Sequence, residues 1–421
     1  MKALPLALAL STVSTIAFAA PPEPKFRAQD LDLKIEIGYG LAVADVDGDG
    51  KPDILLADKK QFVWYRNPGK RGVAWDKFVL AENLTEKDNV CIAARDIDGS
   101  GKCSIAVGAE WNPGDTVNSG AVFYLIPPAD RTQKWEAVKF PSVEPTTHRM
   151  KWVQRGKNED GKPRYDLVVV PLHGLGNKNG EGAGVKVLAY QMPKNPRDEW
   201  KAEVICADLH MTHNFDLLTD AHDSAQSGLI IGGREGIRRL VREKDGWANL
   251  AKHSWGKEGR VGLEGIGEVR ESHSQGFKGS FLATIEPMHG NRLMVYPNQW
   301  ATDVPPYDRG ILLTDKLADG HALACGDMLG TGSDQIVVGW RAMGKPGVKV
   351  GVALWTSLDD NDDPLSLPRE GKAARWRESL IDDNTMACED LVLADLDGDG
   401  KLDIVAAGRA TKNVKIYWNE R

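Results

Sequence analysis

The chain has little that would suit it to nucleic acid, a membrane or a disulfide scaffold. Basic residues are the minority, 53 Lys and Arg against 60 Asp and Glu, for a formal net charge of −7. Without a basic stripe there is no footprint for a phosphate backbone. Only five cysteines occur, at 91, 103, 206, 325 and 388. Four lie in or beside strand-like runs, which favours buried thiols over a disulfide framework. The odd count leaves at least one unpaired, and a Cys91–Cys103 bridge stays open in an oxidising compartment. Past the first twenty residues no apolar run reaches membrane-spanning length. No segment carries the sustained periodicity of a long amphipathic helix. No G-x-S-x-G motif is present, so acyl transfer has no support.

What is there begins with Lys2, an apolar stretch from Ala3 to Phe18, and a small-residue site at Ala17-Phe-Ala19. That reads as a secretory signal peptide over residues 1–20. No cysteine follows the site, so no lipid anchor is indicated. Residues 21–421 are expected to be a single soluble domain in the periplasm or outside the cell.

Two segments nearly a chain apart are near copies: Ala44-DVDGDGKPDILLA-Asp58 and Ala394-DLDGDGKLDIVAA-Gly408. Asp45, Asp47, Asp49 and Asp53 stand at positions 1, 3, 5 and 9 of the first; Asp395, Asp397, Asp399 and Asp403 repeat them. A hard cation needs six or more oxygens, and alternate carboxylates on a glycine-bent turn supply them. Lys51 and Lys401 offer a backbone carbonyl at position 7. An EF-hand would need Glu at position 12, where Leu56 and Ala406 stand inside strand-like runs. Two calcium loops joining strands are therefore expected, with a bracing rather than a catalytic role.

With the first loop residue as a ruler, the chain divides into seven units anchored at Asp45, Asp96, Arg155, Asp220, Arg270, Asp327 and Asp395. Their mean spacing of about 58 residues is that of a propeller blade. Each anchor is preceded by a short apolar segment and followed by two β-rich runs, such as DILLA and FVWYR. A fourth strand opens on an aromatic residue at Trp75, Trp135, Trp200, Tyr307 and Trp376. The fold class is therefore all-β, a seven-bladed β-propeller of four-stranded blades with tryptophans packed between blades. The last unit ends one strand short. Phe26–Ile35, ahead of the first unit, is expected to complete it and close the ring, which removes exposed sheet edges.

The DxDGDGxxD loops on blade-sized repeats resemble the FG-GAP or VCBS family. Gly320-HALACGDMLGTGSDQIVVGWR-Ala342 and Glu286-PMHGNRLMVY-Pro297 are similar to the propeller part of aldos-2-ulose dehydratase/isomerase. The resemblance implies chemistry on oxidised sugars and metal sites. The cupin-like region of that family is not found in this chain, and whatever chemistry belongs to it is not carried over.

The register also singles out residues six or seven positions before each anchor: Tyr39, Val90, His148 with Arg149, His213 with Asn214, Glu264, His321 and Glu389. The far ends of the second strands add Trp111, His173, Arg234, Glu235, His289, Trp340, Arg341 and Arg409. Both sets are expected to meet at one mouth of the axial channel. Imidazoles, carboxylates and guanidiniums around one axis are the mixture a polar ligand site needs. His148, His213, Glu264, His321 and Arg341 are the expected catalytic groups, and Trp111, His173, Arg234, Glu235, His289, Trp340, Glu389 and Arg409 are expected to hold a carbohydrate, with Trp111 and Trp340 as stacking faces. A transition metal such as Zn²⁺ suits the imidazoles. Dehydration or β-elimination of an oxidised sugar follows as the leading activity. A non-catalytic propeller that binds a polysaccharide or protein is the alternative, since fold does not fix function. Glycoside hydrolysis by Glu264 and Glu389 ranks below elimination because histidines dominate the ring.

Overall fold

The computed structural model describes residues 23–219, 227–243, 246–249, 264–272, 280–297, 310–344, 346–358 and 375–421. The leader at 1–20, the unit-four anchor Asp220 and Tyr307 lie outside these residues. The described chain forms seven antiparallel sheets of four strands each. They are the blades of a propeller, and we number them by their innermost strands in chain order. Those strands are Gly40–Ala44, Cys91–Arg95, Thr147–Lys157, Thr212–Thr219, Glu268–Glu271, Gly320–Gly326 and Cys388–Ala394. Each touches the innermost strand of the next blade, and the last touches the first, so the seven encircle one axis.

The second and third strands are apolar almost throughout because both faces are covered. Asp53–Ala57, in blade 1, is buried at every position. A blade has no core of its own. Seven hydrophobic clusters occur among the described residues, and each is shared between two neighbouring blades. Tryptophans fill them as expected. Trp64 and Trp135 lie between blades 1 and 2, Trp152 and Trp200 between blades 2 and 3, and Trp418 between blades 7 and 1. Trp135 and Trp200, just ahead of their outer strands, donate indole N–H to the carbonyls of Arg131 and Pro196, four residues earlier (3.1 and 3.0 Å). Blade 4 ends in Gly246–Asn249, whose Trp247 packs against the cluster between blades 3 and 4.

The ring closes with strands from both ends of the chain. Phe26–Asp32 pairs antiparallel with Asn413–Asn419, Phe26 opposite Asn419, and completes blade 7. The strand stops at Asp32, while Ile35 is buried between blades 7 and 1. All five cysteines are free, so Cys91 and Cys103 are not bridged. They sit at opposite ends of their blade, one opening the inner strand and the other in the turn beyond it.

Polar latches repeat at the blade borders. Asn67 at the end of the third strand of blade 1 donates its amide to the Leu396 carbonyl of blade 7 (2.6 Å), and Asn419 of blade 7 donates to Met328 of blade 6 (2.8 Å). Removing the closing strand should therefore cost far more than removing one contact within it. Deletion of residues 23–32 leaves Asn413–Asn419 as a bare edge and should lower the melting temperature by more than about 5 °C, with association visible by size-exclusion chromatography. Arg27→Ala, which loses only the partly exposed pair with Glu420, should stay within about 1 kcal/mol of the parent. A deletion variant that is monomeric and melts with the parent would overturn this account of closure.

Candidate active site at the channel mouth

Four of the seven inner strands open on a β-bulge. The pairing with the second strand skips His148 in blade 3, His213 with Asn214 in blade 4, His321 in blade 6 and Glu389 in blade 7. The inner strands of blades 1, 2 and 5 pair without a shift. A bulge leaves its residue out of the ladder and re-aims the side chain. Here the three imidazoles meet at the axis. The His213 ring centre lies 4.6 Å from that of His148 and 4.8 Å from that of His321. A fourth imidazole, His289, reaches in from the turn between the second and third strands of blade 5. Its φ of 54° is in the left-handed region, uncommon for a residue other than glycine.

The hydrogen bonds repeat from blade to blade. Nδ1 of His148 donates to the backbone carbonyl of His213 in the next blade (2.8 Å). Nδ1 of His213 faces the Gly267 carbonyl (3.1 Å) and the Glu268 carboxylate (3.0 Å) of the next. Nδ1 of His321 donates to the Glu389 carbonyl (2.6 Å), again one blade on. With Nδ1–H so committed, each ring turns an Nε2 lone pair toward the axis. His213, His289 and His321 each offer a nitrogen within 4.8 Å of the others. The Nε2 atoms of His213 and His289 are 2.8 Å apart. Ligating histidines are held in this way, with the second nitrogen bonded to a carbonyl or carboxylate. The donor set fits a divalent transition metal of the zinc type, with room for further ligands.

Charge around the rings is balanced. Glu268 accepts from His213 and from Asn214 (2.7 Å) and pairs with Arg270 (3.3 Å). Glu389 is gripped by Arg341 (2.5 Å) and Arg409 (3.1 Å), and lies 4.0 Å from Nε2 of His321. Arg149 donates to the carbonyl of His148 (3.1 Å), with the same Nη1 3.3 Å from Nε2 of that ring. Burial drives His148, His213 and His321 well below the ordinary imidazole range, and the neighbouring Arg149 and Arg341 push the same way. His289 falls to about 3, through desolvation first and then His213 and Arg341. Desolvation raises Glu268. The imidazoles are thus neutral, as a metal ligand or a general base must be.

Not every residue picked from the sequence reaches this cluster. Glu264 does not. It is exposed ahead of the inner strand of blade 5 and pairs with Arg292 (2.7 Å). The blade 5 anchor Arg270 lies inside the strand rather than after it, so counting back from it overshoots by four, and Glu268 is the acid at the site. Trp111 stacks on His148 at 4.9 Å. Arg341, Glu389 and Arg409 are together. His173 is half-buried near Thr146 and Met211, with no contact to the imidazoles. Arg234 is tied to the carbonyls of Asn179 and Gly180, and Glu235 to His210 (2.8 Å). Trp340 donates to the Lys349 carbonyl, away from the cluster.

At the opposite ends of the inner strands lie the aspartate loops. Gly48 and Gly50, and Gly398 and Gly400, have φ between 77° and 86°, which the tight turn needs. Oxygens of Asp45, Asp47 and Asp53 lie within 4.8 Å of one another, as do those of Asp395, Asp397 and Asp399. Asp49 pairs with Lys51 and Asp399 with Lys401 (2.6 and 3.0 Å). Asp53 and Asp403 are fully buried and also accept the amides of Asn67 and Asn419 (2.8 Å each). Arg71 of blade 1 crosses to Asp397 and Asp399 of blade 7.

The fold and mouth together define a seven-bladed propeller with a four-imidazole cluster at one end of its channel. Residues 119–299 match the family described as aldos-2-ulose dehydratase, beta-propeller domain, and residues 45–107 match the FG-GAP-like repeat. The chain is thus a propeller related to both; of the two segments likened to the dehydratase, Glu286–Pro297 lies within its match and Gly320–Ala342 beyond it. The first match takes in His148, His213, Glu268 and His289 but stops short of His321. No curated protein matches. Among solved structures, BBS1N in complex with ARL6DN is similar at 11% identity in a crystal soaked with lead, with a TM-score of 0.48, covering 96% of this chain and 97% of that one. The mercury-soaked crystal gives 12%, 0.49, 96% and 98%. An extracellular domain from B. thetaiotaomicron is 9% identical at a TM-score of 0.48, and the match covers 96% of this chain but 43% of that one.

Neutral buried histidines make the fold acid-labile. Between the depressed native values and the unfolded value near 6.5, the unfolded chain binds more protons, so stability is lost as pH falls below about 6.5. Urea unfolding in EDTA should show this. In His213→Gln the slope of stability against pH below 6 should shrink by about one proton, about 1.4 kcal/mol per pH unit. An unchanged slope would mean that His213 is not held neutral.

Proposed function

We propose that the protein is an exported, calcium-braced propeller whose mouth carries out metal-assisted dehydration or β-elimination on an oxidised sugar. The observation that carries the reading is the convergence of His213, His289 and His321, with the Nδ1–H of His213 and His321 directed to acceptors in the next blade. The relation to the aldos-2-ulose dehydratase propeller supports the choice of substrate and reaction class. A divalent metal held there supplies Lewis acidity to a substrate carbonyl.

The chain's own groups supply the rest. His148 has its Nδ1–H on the His213 carbonyl, so its Nε2, which faces Arg149 Nη1 at 3.3 Å, is the nitrogen that takes the proton from the carbon beside the carbonyl. The electron pair of that C–H bond moves toward the carbonyl oxygen. It then returns to form the C=C bond as the β C–O bond breaks. The proton held by His148 leaves with the departing oxygen, as water in a dehydration, so no oxidant or reductant is needed. Arg341, fixed by Glu389 and Asp319, directs positive charge toward the mouth, where the oxygen gathers charge. Trp111, stacked on His148, offers a face for the sugar ring.

The aspartate loops take calcium on this reading, with Asp45, Asp47, Asp49, Asp53 and the Lys51 carbonyl in one and Asp395, Asp397, Asp399, Asp403 and the Lys401 carbonyl in the other. Burial together with Asp47 and Asp49 raises Asp53 to about 7, and burial raises Asp403 to about 6. A cation relieves that crowding. An exported location agrees with the leader and with loops that bind calcium weakly, at about 10⁻⁴–10⁻³ M outside the cell.

Metal analysis tests the scheme. His321→Ala should lose the transition metal and keep calcium. His148→Ala should keep both metals and lower turnover of a 2-keto sugar by about 10²–10⁴-fold, followed by absorbance of the enone product. Metal content unchanged in His321→Ala would sink the metal centre. Sugar binding without turnover in the metal-loaded parent would establish the binding module instead. For the loops, adding calcium to EDTA-treated protein should raise the melting temperature, and more at pH 8 than at pH 5. The raised aspartates make ion-free stability fall as pH climbs through about 4–7. A calcium shift that is the same at both pH values would refute this.

A further inference from the structure

A hollow of ≈580 Å³ lies beyond Arg341 and Arg409 from the imidazoles, walled by segments of blades 6, 7 and 1. Its polar lining is Lys59, Arg341, Arg409 and Lys412, with Glu36 and Asp319. Its size is that of a small-molecule site. Four cations gather here in a chain whose net charge is −7. Arg341 and Asp319 hold each other (3.0 Å), and Glu389 behind the wall takes one bond from each arginine. That accounts for two acids. A third, buried Asp58, accepts the amides of Glu36, Ile37 and Lys59 (3.0, 2.7 and 2.8 Å). The fourth, Glu36, faces Lys59 only at 3.8 Å, with both side chains exposed. Arg409 gives one Nη1 to Glu389 and leaves a side chain that is 44% exposed. Lys412 has no ion pair or hydrogen bond among the described residues, and its φ of 51° is left-handed. The cations least tied to an acid are therefore Lys412, Lys59 and the open side of Arg409, which lies over the Tyr39 ring at 5.5 Å.

The hollow and the imidazoles share a wall. Arg341 lines the hollow, and the Glu389 carboxylate it holds is 4.0 Å from Nε2 of His321. An anionic group held at Arg341 would lie one side chain, Glu389, away from His321.

We propose that this hollow binds the acidic group of the substrate, so that the sugar processed here carries a carboxylate. The inference rests on the reading of the mouth as a sugar-eliminating site and names its substrate class. A proton beside a carboxylate resists removal because the carbanion develops next to a negative charge. Fixed cations on that carboxylate oppose this. The balance is that of an ordinary elimination. In this substrate class the carboxylate takes the place of the ketone as the activating carbonyl: the base takes the proton from the carbon bearing the carboxylate, C=C forms to the next carbon, and the C–O bond there breaks. The oxygen departs with a proton. A phosphate would satisfy the same cations but would not acidify a neighbouring C–H in this way, which favours the carboxylate.

Isothermal titration of the zinc- and calcium-loaded protein with glucuronate, glucose and glucose 6-phosphate separates the cases. Glucuronate should bind at least about tenfold more tightly than glucose, and the gap should close as salt is raised. In the Lys59→Ala/Lys412→Ala double variant the preference should fall to within about twofold, with metal content and melting temperature unchanged. Equal binding of glucose and glucuronate would overturn the inference and leave the sugar site standing. A preference that survives in the double variant would overturn it as well. Tighter binding of glucose 6-phosphate than of glucuronate would overturn the carboxylate assignment. If no sugar binds to the metal-loaded protein, this inference and the sugar-site reading fall together.

Discussion

A blade of this protein cannot bury its own faces, and everything else follows from that. Four antiparallel strands make one sheet, with apolar residues on both sides and nothing of the blade's own to cover them. Each of the seven clusters is completed by the neighbour. An open row of such blades would leave two apolar faces in water, so the row must close. Closure then demands that the ends of the chain meet, which is why Phe26–Asp32 lies beside Asn413–Asn419. The polar contacts at the same seam, Asn67 to Leu396 and Arg71 to Asp397 and Asp399, reach across the junction of blades 7 and 1. They fix the angle between blades that the greasy contact alone would leave soft, since dispersion and burial are weakly directional.

The same constraint builds the site. Closing the ring brings seven inner strands around one axis, and whatever stands at their ends is forced together. In a regular ladder the side chains there would alternate between blade faces. The bulges at His148, His213, His321 and Glu389 break that alternation and turn these side chains inward. Each imidazole then donates its Nδ1–H to the next blade, in one sense around the ring. A bond that helps hold two blades together is also the bond that selects the tautomer. The orientation of the lone pairs is thus inherited from ring closure and does not depend on a dedicated loop.

The fold was legible because its signals are local and repeated. The aspartate loops fixed the period, the β-rich runs fixed the strand count, and the tryptophans marked the outer strands of most blades. The site was legible in most blades, including blade 3, where the count lands on His148 although Arg155 lies inside its long inner strand. Asp327 and Asp395 directly follow their inner strands, so counting back lands on His321 and Glu389, both at the mouth. Blade 5 has no aspartate loop, Arg270 falls inside the strand, and the count lands on exposed Glu264 instead of Glu268. The bulges carry no sequence mark of their own. Side-chain direction at the second-strand ends was not legible either. Trp340 and Glu235 stand at the expected height, yet local partners at Lys349 and His210 turn them aside. Position along a strand can be counted from sequence, whereas the partner that captures a long side chain depends on the neighbouring blade.

The two ends of the inner strands differ in chemistry in a way that keeps their proposed ions apart. At the mouth the donors are uncharged nitrogens, and the carboxylates Glu268 and Glu389 are committed to asparagine and arginine. Calcium prefers oxygen and gains little from imidazole, so the mouth discriminates against it. At the loops the donors are carboxylates and carbonyls on a glycine turn, the all-oxygen set that calcium prefers. In blade 7 both ends belong to one strand, with Glu389 beside the histidines and Asp395 just past its other end. A cation held at the loop, as proposed, would stiffen the turn that terminates that strand, and the strand in turn carries the Glu389 carbonyl that orients His321. Any coupling between the two proposed ions would run through the seven residues of that strand, since the two donor sets share no residue.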